Sequence, residues 1–153
     1  MISLSACSTD KIVQTNIGYG WNNNSVNAVT FRKNALTTHN QYQCTAYYDE
    51  NSNLVLGKRK INSSKWEIVK TAYKGNTKDA HNDISIAVDG QGYLHVSWDH
   101  HDTMLRYVKS KLPLSLEVGE EHPMTGIEEK KVTYPDFYNL PNGHLLFFYR
   151  SGA

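Results

Sequence analysis

Four of the seven histidines in the chain, together with five aspartates, fall within residues 79–102. Imidazole titrates near neutral pH, so histidine can act as a general base, a general acid or a metal ligand. The segment therefore poses three alternatives: an active site, a metal site, or an accident of composition.

His81 and His101 are the two histidines best placed to act together. His81 precedes the strand-like run 84–88, and His101 lies twenty positions later, after a second such run. An antiparallel hairpin returns the chain to the end where it began, so we expect both side chains at one end of the hairpin. His100 would point to the opposite face of a continuing strand, so we do not expect it to share a role with His101.

A metal site is the competing interpretation of the same segment. His95, His100 and His101, with the neighbouring aspartates, have the chemistry of zinc ligands. Their spacing matches no structural zinc motif, and both cysteines lie elsewhere. A structural metal ion, calcium or zinc, remains an alternative, and the pattern requires no cofactor.

Other candidate residues lie outside this segment or at its start. Tyr134 precedes a proline, and Arg150 ends the apolar run LLFFYR. A guanidinium at the end of an apolar strand must meet a carboxylate or extend to solvent, and the sequence leaves both open. His39 and Asn82 are candidate substrate-binding residues, with His39 expected on the same side of the sheets as the histidine pair.

The elements that must position these residues are strands. One arrangement, two strand-like runs joined by a polar turn, occurs at residues 46–60, 85–99 and 136–150. Aligned on Leu54, Leu94 and Leu145, the copies are 40 and 51 residues apart. A period of roughly 40–50 residues with several strands per unit is typical of β-propeller blades. Asp89-Gly90-Gln91-Gly92 and Pro141-Asn142-Gly143 supply the turn residues of two hairpins.

The predicted fold is therefore all-β, built from propeller blades of antiparallel strands. Because propellers usually need about four to eight blades, three copies are expected to form an incomplete part of a larger ring. Residues 8–153 are assigned to this partial propeller domain.

The composition of the chain limits the classes of binding partner that can be expected. Sixteen basic and fifteen acidic residues leave a formal charge of +1, so nucleic acid and anionic membranes are not expected partners. No apolar run is long enough to cross a membrane. Ten tyrosines suit both strands and the stacking surfaces that bind sugar rings, and composition does not separate these uses.

The two cysteines predict no disulfide framework. Cys44 lies in a strand-like run and is expected to be a buried thiol. Leu4-Ser5-Ala6-Cys7 resembles a lipoprotein lipobox, although too few residues precede it for a signal peptide. Residues 1–7 are thus either the end of a truncated leader, with Cys7 lipidated, or a chance match. The first alternative implies a periplasmic, outer-membrane lipoprotein or secreted location.

The residues from His81-Asn82-Asp83 through SIAVDGQGYLHVSWDHHD, with TYPDFYNLPNGHLLFFYRSG further on, resemble the BNR-repeat-containing proteins. That family includes seven-bladed propeller polysaccharide lyases that cut ulvan and related rhamnose–glucuronate glycans. The resemblance covers most of the chain from about Thr38 onward, and it implies a polysaccharide partner.

The resemblance also implies roles for four residues. His81 and His101 match the two histidines of the lyase pattern, Tyr134 its tyrosine and Arg150 its arginine. Arg150 would neutralise a uronate carboxylate, and His81 would take the adjacent proton. Tyr134 would protonate the leaving oxygen, while His101 would help to bind the carboxylate.

Two other functions remain open at the level of sequence. A sialidase-like glycoside hydrolase would need paired carboxylates, for which Asp79, Asp83, Asp99 and Asp102 are available. A non-catalytic glycan-binding propeller would need none of this chemistry. The sequence does not determine the oligomeric state.

Overall fold

The computed structural model describes residues 13–29 and 34–152, so the proposed lipidation site Cys7 lies outside the described residues. Within these described residues, nine strands form three antiparallel sheets, each made of strands consecutive in the chain. The first sheet is β1 (Leu36–His39), β2 (Tyr42–Tyr48), β3 (Asn53–Lys60) and β4 (Glu67–Lys74). The second is β5 (Ile84–Val88), β6 (Leu94–Trp98) and β7 (Tyr107–Lys109), and the third is β8 (Val132–Asn139) and β9 (Leu145–Ser151).

The all-β prediction is confirmed, and the three repeated units are the hairpins β2–β3, β5–β6 and β8–β9. Within the described part of the chain there is no helix with the length and hydrophobicity to cross a membrane.

The turns of the first two units share one hydrogen-bonding pattern. Asp49 Oδ1 accepts hydrogen bonds from the backbone N–H groups of Asn51 and Asn53. Asp89, forty positions later, accepts equivalent bonds from Gln91 and Tyr93. Each aspartate therefore satisfies the backbone of the turn between two strands and fixes their register.

The core fills the space between the first two sheets. It is built from alternate residues of the strands, and its largest fully buried side chains include Tyr48, Leu56, Ile86 and Trp98. Cys44 is a free thiol buried in this core, as expected, and burial raises its pKa to about 11.

Strand β5 lies between the other two sheets, since it packs against β1 and β2 on one side and β8 on the other. Hydrogen bonds join the second sheet to the third. Asn139 Nδ2 donates to Val88 O at 2.7 Å, and the Phe137 N–H donates to Ser85 Oγ at 3.2 Å. The relative position of the second and third hairpins is thereby set, and with it the position of the residues at their ends.

Candidate active site

One end of the sheets carries the start of β5, the end of β6, the start of β8 and the end of β9, and we call it the site rim. The opposite rim carries the turns at 40–41, 90–92 and 141–143. His81, His101, Tyr134 and Arg150 all lie at the site rim, where the ends of two neighbouring hairpins meet.

The two histidines are in contact. Their ring centroids are 4.6 Å apart, and Asp79 bridges them. Asp79 Oδ1 lies 2.6 Å from His81 Nδ1, and Asp79 Oδ2 lies 2.7 Å from His101 Nδ1. The hairpin argument made from sequence therefore places this pair correctly.

Asp79 is held as an anion. Burial alone would raise its pKa, but hydrogen bonds from the His81 backbone N–H and from both imidazoles outweigh burial and lower the pKa to about 2. An ionised carboxylate only accepts hydrogen bonds, so each Nδ1 must carry a proton. When the rings are neutral, the basic lone pair of each histidine is therefore on Nε2.

Tyr134 and Arg150 complete the cluster from the third sheet. The Tyr134 ring centroid lies 5.9 Å from that of His81, and Arg150 Cζ lies 5.1 Å from the Tyr134 centroid. Arg150 is exposed at the end of β9, so it takes the solvent-facing alternative that the sequence left open. The cluster, defined as Asp79, His81, His101, Tyr134 and Arg150, thus joins a carboxylate, two imidazoles, a phenol and a guanidinium.

The backbone at Tyr134 has an unusual conformation. Its φ is +53°, in the left-handed region, although the residue is not glycine and precedes Pro135. The strand pairing shifts register between Thr133 and Asp136, as at a β-bulge. Strained residues of this kind concentrate at functional sites, and bulges redirect side chains. Here the irregularity coincides with the turning of a phenol toward the histidines.

Cavities lie on both sides of the cluster. One, of ≈ 470 Å³, is lined by Tyr134 and Arg150 and by the rings of Tyr138, Phe148 and Tyr149. The other, of ≈ 460 Å³, is lined by Asp79, His101 and Arg106 among others. Aromatic walls beside polar groups suit a sugar chain, whose rings stack while its hydroxyls form hydrogen bonds.

The placement predicted for His39 is wrong. Its Nε2 lies 3.8 Å from where a Cβ on Gly92 would be, at the opposite rim. The five residues of β5 separate the rims by roughly 17 Å. The β1–β2 turn that carries His39 points away from the cluster, so a shared binding role is not supported.

Asn82 is 4% exposed and holds the loop behind His81. Its backbone O accepts from the Tyr48 hydroxyl at 2.8 Å, and its Nδ2 donates to Asn76 O at 2.9 Å. Its Oδ1 is buried and has no hydrogen-bond partner in the described part of the chain. Binding of substrate by Asn82 stays a prediction.

The structure does not bring together the metal ligands considered from sequence. His95 Nε2 bonds Asp89 at the opposite rim, and His100 is fully buried beside Ser97. Across residues 13–29 and 34–152, the one group with suitable ligand atoms within 4.8 Å is Asp79, His81 and His101. Any metal would therefore compete with the bridge between the two histidines.

Of the four carboxylates considered for a hydrolase, three are bridged, paired or buried, and Asp102 is exposed. Asp79 bridges the histidines, Asp99 Oδ2 pairs with Arg106 Nη1 at 2.9 Å, and Asp83 is only 7% exposed. Sequence reasoning had considered Asp79 only as a hydrolytic carboxylate and missed its contact with both rings. Its position two residues before His81 was the available signal, since an aspartate often accepts from backbone N–H groups two residues on.

A family model described as "BNR repeat-containing family member" matches residues 40–153. No curated protein matches the sequence at a significant level.

Among solved structures, the polysaccharide lyase Uly1 matches with a TM-score of 0.69 and 17% identity, over 95% of this chain and 40% of its own. A polysaccharide lyase described as PL25-ulvan lyase matches with a TM-score of 0.64 and 18% identity, over 80% of this chain and 32% of its own. The same type of lyase bound to -[GlcA(1-4)Rha3S]- matches with a TM-score of 0.64 and 16% identity.

The chain therefore spans 32–40% of the length of these three solved structures. At this identity the matches show the fold. Together with the three successive antiparallel sheets, they confirm that the described residues form part of a β-propeller.

Proposed function

The chain belongs to the BNR repeat-containing family, and on this premise we propose that it is part of a polysaccharide lyase that cleaves uronic acid-containing glycans by β-elimination. The observation that carries the proposal is the cluster, in which two imidazoles, a phenol and a guanidinium from separate sheets lie side by side. The glycan seen with one similar lyase supports a glucuronate–rhamnose polymer as the substrate class.

The first requirement of the reaction is to make the C5–H group of the uronate more acidic. The proton on C5 of a uronate is a poor acid while the neighbouring carboxylate keeps its full negative charge, since removal adds more negative charge beside it. Arg150 stays charged at all working pH values and grips carboxylates through two N–H groups. It is exposed at the rim of the aromatic cavity, where a bound uronate can reach it.

The second requirement is a base with a correctly placed lone pair. Asp79 holds Nδ1 of His81 and so presents Nε2 as the basic atom. In the proposed step, Nε2 of His81 takes the C5 proton and the C5–H electron pair forms the C4–C5 double bond. His101, oriented by the same carboxylate, assists Arg150 in binding the uronate carboxylate.

The third requirement is an acid for the leaving group. The C4–O4 bond breaks as the double bond forms, and the Tyr134 hydroxyl gives its proton to O4. The products are an unsaturated uronate at one new end and a free hydroxyl at the other. Return of the proton from His81 to the Tyr134 phenolate, directly or through water, restores the site, and their rings are close enough for this exchange.

The test follows the ultraviolet absorbance of the conjugated unsaturated uronate, with ulvan and other uronate polysaccharides as substrates. Tyr134→Phe removes only the hydroxyl that carries the transferable proton, so kcat should fall by at least about 100-fold, within the usual range for loss of a general acid. Tyr138→Phe, in the wall of the same cavity, is the matched control and should remain active.

Absence of the chromophore from every uronate polysaccharide would contradict the proposal. Release of reducing sugar without the chromophore would indicate a hydrolase instead. Binding without turnover that survives Tyr134→Phe and His81→Gln would indicate a non-catalytic glycan-binding protein.

A further inference from the structure

A second charged surface lies at the opposite rim, at the start of β2, the end of β3 and the start of β4. It surrounds a cavity of ≈ 460 Å³ lined by Tyr42, Lys58, Arg59, Lys60, Ser63, Lys65, Trp66 and Glu67. Four cationic side chains face one carboxylate there, which leaves a net charge of three positive. The whole chain has a formal charge of only +1, so the charge is concentrated at this surface.

The cations of this surface differ in their partners. Lys58 is mostly buried, where its Nζ donates to Leu114 O at 2.6 Å and pairs with Glu67 at 3.0 Å. Lys60 and Lys65 are exposed. Among the described residues, no carboxylate lies within ion-pair distance of Arg59, Lys60 or Lys65. Like charges held together without counter-charges attract an anionic ligand.

Two aromatic rings give the surface a fixed shape. Arg59 Cζ lies 5.1 Å from the Trp66 ring centroid, and Lys60 Nζ lies 6.0 Å from that of Tyr42. Trp66 Nε1 donates to Thr15 Oγ1 at 3.1 Å, which fixes the orientation of the indole. Arg59 Nε and Nη1 donate to Gln43 Oε1 and Ser63 O, so the guanidinium is also held in place.

This surface is separate from the cluster. Tyr42 pairs with Lys60 at one end of the β2–β3 hairpin, and Tyr48 pairs with Leu54 at the other. Tyr48 bonds the loop that carries His81, whereas Tyr42 lies six residues away, or roughly 20 Å along the strand.

We propose that this basic, aromatic surface is an auxiliary binding site for a polyanionic glycan, and that it holds the polymer on the rim opposite the cluster. The cations would bind sulfate or carboxylate groups, and the rings would contact sugar faces. That the polyanion is a glycan rests on the proposed function, and the small net charge of the chain argues against nucleic acid.

The test measures affinity of the intact protein for dextran sulfate by isothermal titration calorimetry at two salt concentrations, with unmodified dextran as the uncharged probe. Lys60→Gln/Lys65→Gln should weaken binding by about tenfold and flatten its salt dependence. Lys70→Gln/Lys111→Gln is the matched control, since it removes two exposed lysines that pair with Asp49 and Glu117 elsewhere.

Measurements of elimination activity distinguish the proposed lyase function from the proposed glycan-binding surface. The Lys60→Gln/Lys65→Gln variant should keep the wild-type kcat/KM on short uronate oligosaccharides, which do not span both rims, and lose activity on the polymer. If the wild-type protein shows no elimination activity, the lyase proposal is refuted. If the Lys60→Gln/Lys65→Gln variant of that protein still binds dextran sulfate more weakly, the proposed glycan-binding surface is supported. Equal dextran sulfate affinities of the two double variants would overturn the proposal that this surface binds a polyanionic glycan. Tighter binding of DNA than of dextran sulfate would overturn its assignment to glycans.

Discussion

At the scale of single residues, Asp79 sets the chemistry of the site rim. Its two oxygens reach the Nδ1 atoms of His81 and His101, and its backbone bond from the His81 N–H fixes the loop. One carboxylate therefore orients both rings and determines which nitrogen of each neutral ring carries the basic lone pair. In other enzymes such orienting groups alter activity strongly without touching the substrate.

Asp79→Asn tests this role. The amide cannot act as an anionic acceptor for two imidazoles, so we expect kcat to fall by about 10–100-fold with little change in KM. The measurement is kcat and KM from chromophore formation.

Asp102→Asn is the matched control, because Asp102 is exposed in the same His-rich segment and asparagine tolerates its φ of +56°. Equal kcat values for Asp79→Asn and Asp102→Asn would contradict the orienting role of Asp79.

At the scale of elements, the β5–β6 and β8–β9 hairpins must be held in register for the cluster to form, because each contributes residues to it. Their turns touch at the opposite rim, where the Gly90 N–H donates to Gly143 O at 2.7 Å. A Cβ added to Gly90 would lie 2.7 Å from Gly143 Cα. The close approach of these two turns requires glycine.

Gly90→Ala is therefore expected to push the third sheet away from the second. Overpacking of this kind costs about 1–3 kcal/mol in free energy of unfolding. Gly119→Ala is the control, since its Cβ would meet Lys109 O at an ordinary 3.6 Å. Thermal and denaturant unfolding measure the difference, and equal stability of the two variants would contradict the proposed contact.

At the scale of the whole molecule, acid stability depends on a buried histidine outside the cluster. His100 is fully buried, and its ring contacts Ser97, Thr103 and the backbone of Arg106. Burial lowers its pKa from 6.5 to about 4. The folded protein therefore keeps this ring neutral over a pH range in which the unfolded chain takes up a proton.

The sign of the effect follows from proton uptake. Above about pH 6.5 the ring is neutral in both states and full stability is present; as the pH falls toward 4, protonation favours the unfolded chain. The free energy of unfolding should fall by up to about 3 kcal/mol over this range through His100 alone.

His100→Gln should therefore reduce the loss of stability between pH 7 and pH 4, although it is expected to lower stability at pH 7. His144→Gln, at an exposed turn residue, should leave the pH dependence unchanged. Chemical denaturation at a series of pH values makes the comparison. Parallel pH profiles for wild type and His100→Gln would show that another group controls acid stability.

Sequence by itself determined the strands and their repetition. Alternating apolar residues and turn-forming Asp, Gly and Asn act locally, so the three hairpins and their spacing followed from the chain alone. Hairpin closure is also local, and for this reason the proximity of His81 and His101 was predictable. The family resemblance added Tyr134 and Arg150, which no local pattern joins to the histidines.

The tertiary structure decided how separate hairpins meet. Contact between Tyr134 and His81 depends on the packing of β5 against β8 and on the left-handed backbone before Pro135, and neither is encoded within a single strand. The placement of His39 failed for the same reason, because which rim a turn occupies depends on the direction of its strand within the assembled sheets. The contact of Asp79 with His101 likewise arises only when separate segments are brought together, since side-chain contacts across loops and sheets are fixed by packing.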